Sequence, residues 1–91
     1  MMDFEFGQVV ISKAGRDKGK TYMVDAVEGE YLFLVDGEAR RLDNPKKKKM
    51  KHVQPMHMVL EGLKAKHENE EKISNAEIRN QLFELQQVPR Q

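Results

Sequence analysis

The chain has 91 residues, of which 34% are charged and 38% hydrophobic, a formal net charge of +1, and neither cysteine nor tryptophan. This length predicts one small domain that buries a limited fraction of its surface. The lack of cysteine excludes disulfides and zinc–thiolate sites, and no apolar run approaches the roughly 18 residues of a membrane span. We therefore expect a soluble, cytoplasmic, monomeric protein that does not bind membranes.

Three strands are predicted in the first part of the chain. A β-branched run predicts a strand over 8–13. Alternation of Tyr22 and Val24 with polar neighbours predicts a strand over 20–27 with one buried face. The continuous apolar run over 31–36 is typical of a strand that is covered on both sides.

Two further strands are predicted around a lysine run. An Asp-Gly turn introduces a short fourth strand over 38–42, and residues 50–54 supply a fifth that ends at Pro55. The run over 46–49 follows a proline and is expected to be a flexible loop. Five closely spaced strands predict a small barrel, because closing a sheet removes its exposed edges. The predicted core consists of Val9, Ile11, Tyr22, Val24, Val27, Leu32, Leu34, Leu42 and Val53.

The last third of the chain has a different character. Residues 64–72 are polar and predict a linker or a frayed helix. Ser74 and Glu77 have the spacing of a capping box, and apolar residues at helical spacing predict a helix over about 75–87. Its apolar face either packs on the barrel or docks on a protein partner. The predicted units are a barrel over 4–56, a connecting segment over 57–73 and an amphipathic helix over 74–88.

Positive charge is concentrated in two places that predict nucleic-acid binding. The loop between the first two strands is bracketed by Gly15 and Gly19, which permit positive φ, and Arg16 can bind a phosphate bidentately. Residues 38–52 carry seven Lys or Arg and two acids, which indicates a basic patch or a solvated loop. Cations along phosphates give affinity without base readout. The predicted nucleic-acid-binding residues are Lys13, Arg16, Lys18, Lys20, Arg40, Arg41, Lys46, Lys47, Lys48, Lys49 and Lys51.

Other chemistries find little support. No exposed aromatic platform for base stacking is evident, since both tyrosines fall in predicted strands. His52 and His57 have no cysteine or acid at metal-ligand spacing. The glycines of the first loop are too close together for a phosphate-binding P-loop. We therefore predict no catalytic residue, no metal site, no cofactor and no enzymatic activity.

The first half of the chain resembles a known family. Gly7, the run 9–11, Gly15 and Lys18-Gly19-Lys20 are similar to the KOW motif, and 32–37 resembles the strand and turn that follow it. That motif occurs in ribosomal proteins and in NusG-type elongation factors. With Ala14-Gly15-Arg16 and Val35-Asp36-Gly37, the sequence is most similar to the fourteenth and twenty-seventh large-subunit proteins of eukaryotic and archaeal ribosomes. The resemblance covers about 4–55 and implies an SH3-like barrel that binds RNA.

The resemblance implies a ribosome-associated protein that contacts phosphates of structured RNA, in particular large-subunit ribosomal RNA, through basic loops. The alternative is a KOW protein-interaction module of a transcription or translation factor. Constitutive ribosomal proteins are usually strongly basic, whereas this chain has a net charge of +1 and a mildly acidic C-terminal third. That difference leaves room for an accessory protein.

Overall fold

The computed structural model describes residues 3–87, which form a mainly β protein with a C-terminal helix. The five described strands form one antiparallel sheet in the order β4-β3-β2-β1-β5. The elements in chain order are β1 (Gln8–Ser12), β2 (Thr21–Glu28), β3 (Tyr31–Val35), β4 (Lys46–Lys49), a 3-10 helix (Met50–His52), β5 (Val53–Val59), α1 (Glu61–Glu68) and α2 (Asn75–Gln87).

A three-residue connection between the two edge strands forces the sheet to curl. In a flat five-stranded sheet the edges would lie about 19 Å apart, whereas three residues span at most about 14 Å when fully extended. The Met50 N–H donates to the Glu30 carbonyl at 2.9 Å, and the Lys13 N–H donates to the His52 carbonyl at 2.8 Å. No pairing joins β4 to β5 among the described strands, so the curled sheet stays open.

Both faces of the sheet are buried near its centre. One face carries a cluster formed by Val10, Tyr22, Val24, Leu32, Leu34 and Val53. On the other face, Val9, Met23 and Val35 pack against side chains from the helical part of the chain, including Leu63 and Ile78. The prediction that β2 has a single buried face is therefore wrong. Alternation identifies one buried face only when the other meets water, and here the helices cover it.

Three residues of the predicted core are not fully buried. Ile11 and Leu42 are only partly buried, and Val27 is 43% exposed. Val27 lies close to the β2–β3 turn, beyond a register shift between Val24 and Ala26. The remaining six predicted core residues are buried.

The predicted fourth strand over 38–42 is wrong, and the segment forms turns instead. The Asp36 carboxylate accepts the N–H groups of Glu38 at 2.9 Å and Arg40 at 2.8 Å. An aspartate that bonds to following backbone amides favours a turn over a strand. The Asp36 side chain therefore folds the segment into a compact loop.

The lysine run forms β4, so the expectation of a flexible loop is wrong. Lys46, Lys47, Lys48 and Lys49 pair with consecutive residues of β3 in an antiparallel ladder. The last strand is also displaced from its prediction. It begins only after the 3-10 helix and continues through Pro55 to Val59, because an edge strand tolerates proline.

The C-terminal helix forms where the sequence predicts it, over Asn75–Gln87. The Ser74 hydroxyl accepts the Glu77 N–H at 3.2 Å, and the Glu77 carboxylate accepts the Ser74 N–H at 2.8 Å. Ile78 and Leu82 pack on the sheet, whereas Phe83 is 61% exposed. Position 88 of the predicted helical unit lies outside the described residues.

The segment between the predicted barrel and the C-terminal helix contains regular structure. The end of β5 and all of α1 fall within it, and Leu63 of α1 is buried against the sheet. Within residues 3–87, no helix is long and apolar enough to cross a membrane.

The N-terminus of α2 rests on the Asp36–Leu42 loop at Gly37, whose φ is 79°. A Cβ at this position would collide with the Asn75 carbonyl oxygen and lie 2.8 Å from the Arg79 nitrogen. The Leu42 N–H donates to the Asn75 side chain at 2.7 Å. Only glycine therefore permits this close approach of loop and helix.

Replacing Gly37 with alanine should lower the free energy of unfolding by about 3 kcal/mol or more, since positive φ is strained for alanine and the helix must also shift. Gly29→Ala is the matched control, because Gly29 has a φ of 60° but no atom within 4 Å of the new Cβ. It should cost only about 1–2 kcal/mol. Urea denaturation followed by circular dichroism measures both, and equal losses would contradict the described contact.

Candidate nucleic-acid interface

A buried carboxylate lies at the base of the β1–β2 loop. Asp17 is only 7% exposed, and its two oxygens accept hydrogen bonds from Ser12 at 2.9 Å, Tyr22 at 3.0 Å and Lys48 at 3.0 Å. The ammonium of Lys46 lies 3.2 Å from the same carboxylate. The loop is therefore joined through one side chain to β1, β2 and β4.

Hydrogen bonding decides the protonation state of this cluster. Burial favours the neutral acid, but hydrogen bonds from Lys48, Ser12, Lys46 and Tyr22 outweigh it and hold the pKa of Asp17 well below its usual range. Burial and the hydrogen bond to Asp17 raise the pKa of Tyr22. At neutral pH Asp17 is therefore an ionised carboxylate and Tyr22 a neutral phenol.

Backbone hydrogen bonds make the loop compact. The Gly19 N–H donates to the Ser12 carbonyl at 2.9 Å, and the Lys20 N–H donates to the Asp17 carbonyl at 2.9 Å. Gly15 and Gly19 have φ values of 85° and 92°, which is the role that the sequence predicts for them. The Lys48 ammonium also donates to the Ala14 carbonyl at 2.9 Å. The cross-links from β4 therefore reach both the backbone and the buried acid of the loop.

The cations of this loop face solvent. Each is exposed, and none forms a salt bridge with another described residue. The exposed cations are Lys13, Arg16, Lys18 and Lys20. The Lys13 N–H donates to the His52 carbonyl in the 3-10 helix. The exposed residue Lys51 of that helix therefore lies next to the loop. The structure thus places part of the second basic cluster beside the first.

Strand alternation divides the lysine run into two pairs. Lys46 and Lys48 pair with Leu34 and Leu32, and their side chains reach Asp17 on that face. The Lys48 side chain is 9% exposed. Lys47 and Lys49 project from the opposite face, and Lys47 is exposed. The four lysines predicted to bind nucleic acid therefore occupy two different environments. A run of identical residues in the sequence does not indicate this difference.

Arg40 and Arg41 belong to the loop that supports α2 and not to β4. A cleft of about 630 Å³ is lined by this loop, by Lys20 and by α2. Its charged lining includes Lys20 and Arg79, but also acids, so it offers no uniformly positive surface. The acids that line it are Asp36 and Glu38.

Two aromatic side chains on β3 are only partly buried, which the sequence does not predict. Tyr31 and Phe33 are partly exposed, on the face of the strand that carries Lys47 and Lys49. The Lys47 ammonium lies 4.5 Å from the centre of the Tyr31 ring and 6.0 Å from that of Phe33. The apolar run over 31–36 predicts a strand that is covered on both sides. The cluster that contains Val35 and the helical residues covers only the Val35 end of this face.

Comparison with known proteins adds no family assignment, because neither a family model nor a curated protein matches the chain.

The same substitution should affect stability much more at Lys48 than at the adjacent Lys47. Lys48→Gln removes a buried partner of Asp17 and should lower the free energy of unfolding by about 2 kcal/mol or more. Lys47→Gln alters an exposed side chain and should change it by no more than about 0.5 kcal/mol. Urea denaturation compares the two. Similar effects would show that β4 does not have the described register.

The charge on Asp17 should make stability depend on pH. Its folded pKa is lowered from an unfolded value of about 3.9, so its contribution is complete above that pH and is lost as the pH falls below it. Asp17→Asn should cost about 3 kcal/mol or more at pH 7, and the gap to wild type should narrow towards pH 2. Urea denaturation across this range measures the gap, with exposed Asp43→Asn as control. A constant gap would contradict a role for the charge.

Proposed function

We propose that this protein binds RNA without catalysing a reaction, and that the Lys13–Lys20 loop contacts the phosphates. The orientation of Asp17 carries the proposal. It is the only acid of this loop, and its carboxylate is buried against two lysines. The loop therefore presents cations to solvent without an acid among them, which is the arrangement that an anionic backbone requires.

The rigidity of the loop supports the same proposal. Its ends are tied by backbone hydrogen bonds, and its centre is tied to β4 through Asp17 and Ala14. Side chains on a fixed loop lose less freedom on binding than those on a mobile one, so more of the interaction energy appears as affinity. Arg16 adds a planar guanidinium that can bind a phosphate through two hydrogen bonds.

We further propose that the curled sheet is an SH3-like barrel of the KOW type. The five antiparallel strands, the short connection between edge strands and the glycine pair in the first loop support this assignment. The resemblance of the sequence then favours structured RNA, in particular large-subunit ribosomal RNA, as the partner of a cytoplasmic, ribosome-associated monomer. An accessory role fits the low net charge better than that of a constitutive ribosomal protein.

The dependence of RNA affinity on salt tests the phosphate contacts. Fluorescence anisotropy of a labelled RNA hairpin over a series of KCl concentrations gives the slope of log affinity against log salt. Arg16→Ala and Lys18→Ala should each make this slope shallower by about one unit. The fold should be unaffected, since exposed cations contribute little to stability.

Lys72→Ala is the control, because it removes the same charge from an exposed side chain in the α1–α2 connection. It should leave the slope near that of wild type. A wild-type slope near zero would contradict the proposal and favour the protein-interaction module instead.

A further inference from the structure

The outer face of β3 carries an aromatic pair that the Lys13–Lys20 loop does not explain. Tyr31 and Phe33 are two residues apart on one strand, so their side chains project to the same side of the sheet. Neither ring belongs to the two hydrophobic clusters of the described residues. Both residues keep part of their surface in contact with water, and that part is open to a ligand.

Lysine ammonium groups lie over these rings. The Lys47 ammonium is 4.5 Å from the Tyr31 ring centre, and that of Lys49 is 5.9 Å away. A cation–π contact at an exposed site is weak, and a lysine has a long flexible stem. An incoming planar group can therefore take the ring face while the ammonium moves to a neighbouring anion.

We infer that Tyr31 and Phe33 form a stacking platform for unpaired bases, and that the RNA bound by this protein has a single-stranded stretch beside its structured part. The inference rests on the proposed function. A nucleotide offers both groups that this surface accepts, a planar base for the rings and a phosphate for Lys47. Stacking on aromatic side chains is a general mode of binding unpaired bases.

The acids near the platform indicate that stacking, and not charge, supplies the affinity there. Glu28 pairs with Tyr31 across the β2–β3 ladder, and Glu30 lies 3.7 Å from the Lys49 ammonium. These two carboxylates offset the two lysines. A bare phosphate chain would gain little at this surface, whereas a base that covers a ring would gain contact area.

The 3-10 helix connects the platform to the basic loop. Its Met50 N–H bonds to Glu30, next to Tyr31, and its His52 carbonyl accepts the Lys13 N–H. Exposed Lys51 lies between these two anchors. A single-stranded RNA segment that leaves the basic loop can therefore follow Lys51 to the aromatic rings.

Three labelled RNAs separate stacking from phosphate binding: a hairpin, the same hairpin with a uridine overhang, and the same hairpin with an abasic overhang of equal length. Wild type should bind the uridine overhang at least about five-fold more tightly than the abasic one. The double variant Tyr31→Leu, Phe33→Leu should abolish this preference while hairpin affinity and the salt slope stay unchanged. Tyr31→Phe should retain the preference, because the ring and not the hydroxyl stacks.

Tyrosine fluorescence gives a second readout on the unmodified protein. The chain has no tryptophan and two tyrosines, of which Tyr22 is buried, so quenching by the uridine overhang but not by the abasic one reports stacking on Tyr31. Equal affinity for both overhangs without quenching would overturn the platform and leave the proposed function standing. Failure to bind any of the three RNAs would overturn both.

Discussion

The buried carboxylate of Asp17 is the constraint on which the rest of this structure depends. An aspartate removed from water is costly unless its charge is matched, and a lone lysine in the same place would be costly too. Here each stabilises the other, together with the Ser12 and Tyr22 hydroxyls. Asp17 therefore brings the β1–β2 loop together with β1, β2 and β4 at one point. This requirement determines the shape of the loop.

The same pairing separates buried, paired charge from exposed charge. Two lysines of β4 are used internally, while the cations of the loop remain free of salt bridges within the described chain. Net charge hides this division, because a chain with a formal charge of +1 can still present a strongly positive local surface when its acids are buried or distant. The distribution of charge, more than its sum, determines what such a small protein can attract.

Local signals in the sequence predict much of the fold. The β-branched and apolar runs identify β1, β2 and β3, and the Ser74–Glu77 capping box marks the start of α2. These signals succeed because the structure they describe is settled within a few residues. The nearby Asp-Gly turn failed as a strand signal, because the Asp36 side chain bonds to the backbone beyond it.

The parts that could not be predicted depend on distant partners. Nothing in the run of lysines indicates a strand, since β4 exists through its pairing with β3 and Lys48 is buried by an acid 31 residues away along the chain. The inward orientation of Asp17 is equally invisible. The exposure of Tyr31 depends on how far the helices extend over the sheet. The candidate site could therefore be located at its loop, but not divided into its structural and exposed residues.

The lysine strand has a consequence for how this protein can vary. A sequence alignment cannot distinguish four identical residues from one another. In the strand, however, their side chains alternate between the face that contacts Asp17 and the opposite face. Loss of one lysine would exchange the inner and outer positions of every residue after it, whereas loss of two would preserve these positions. Among relatives, such a segment should change in length by even numbers, although its composition suggests that any length would serve.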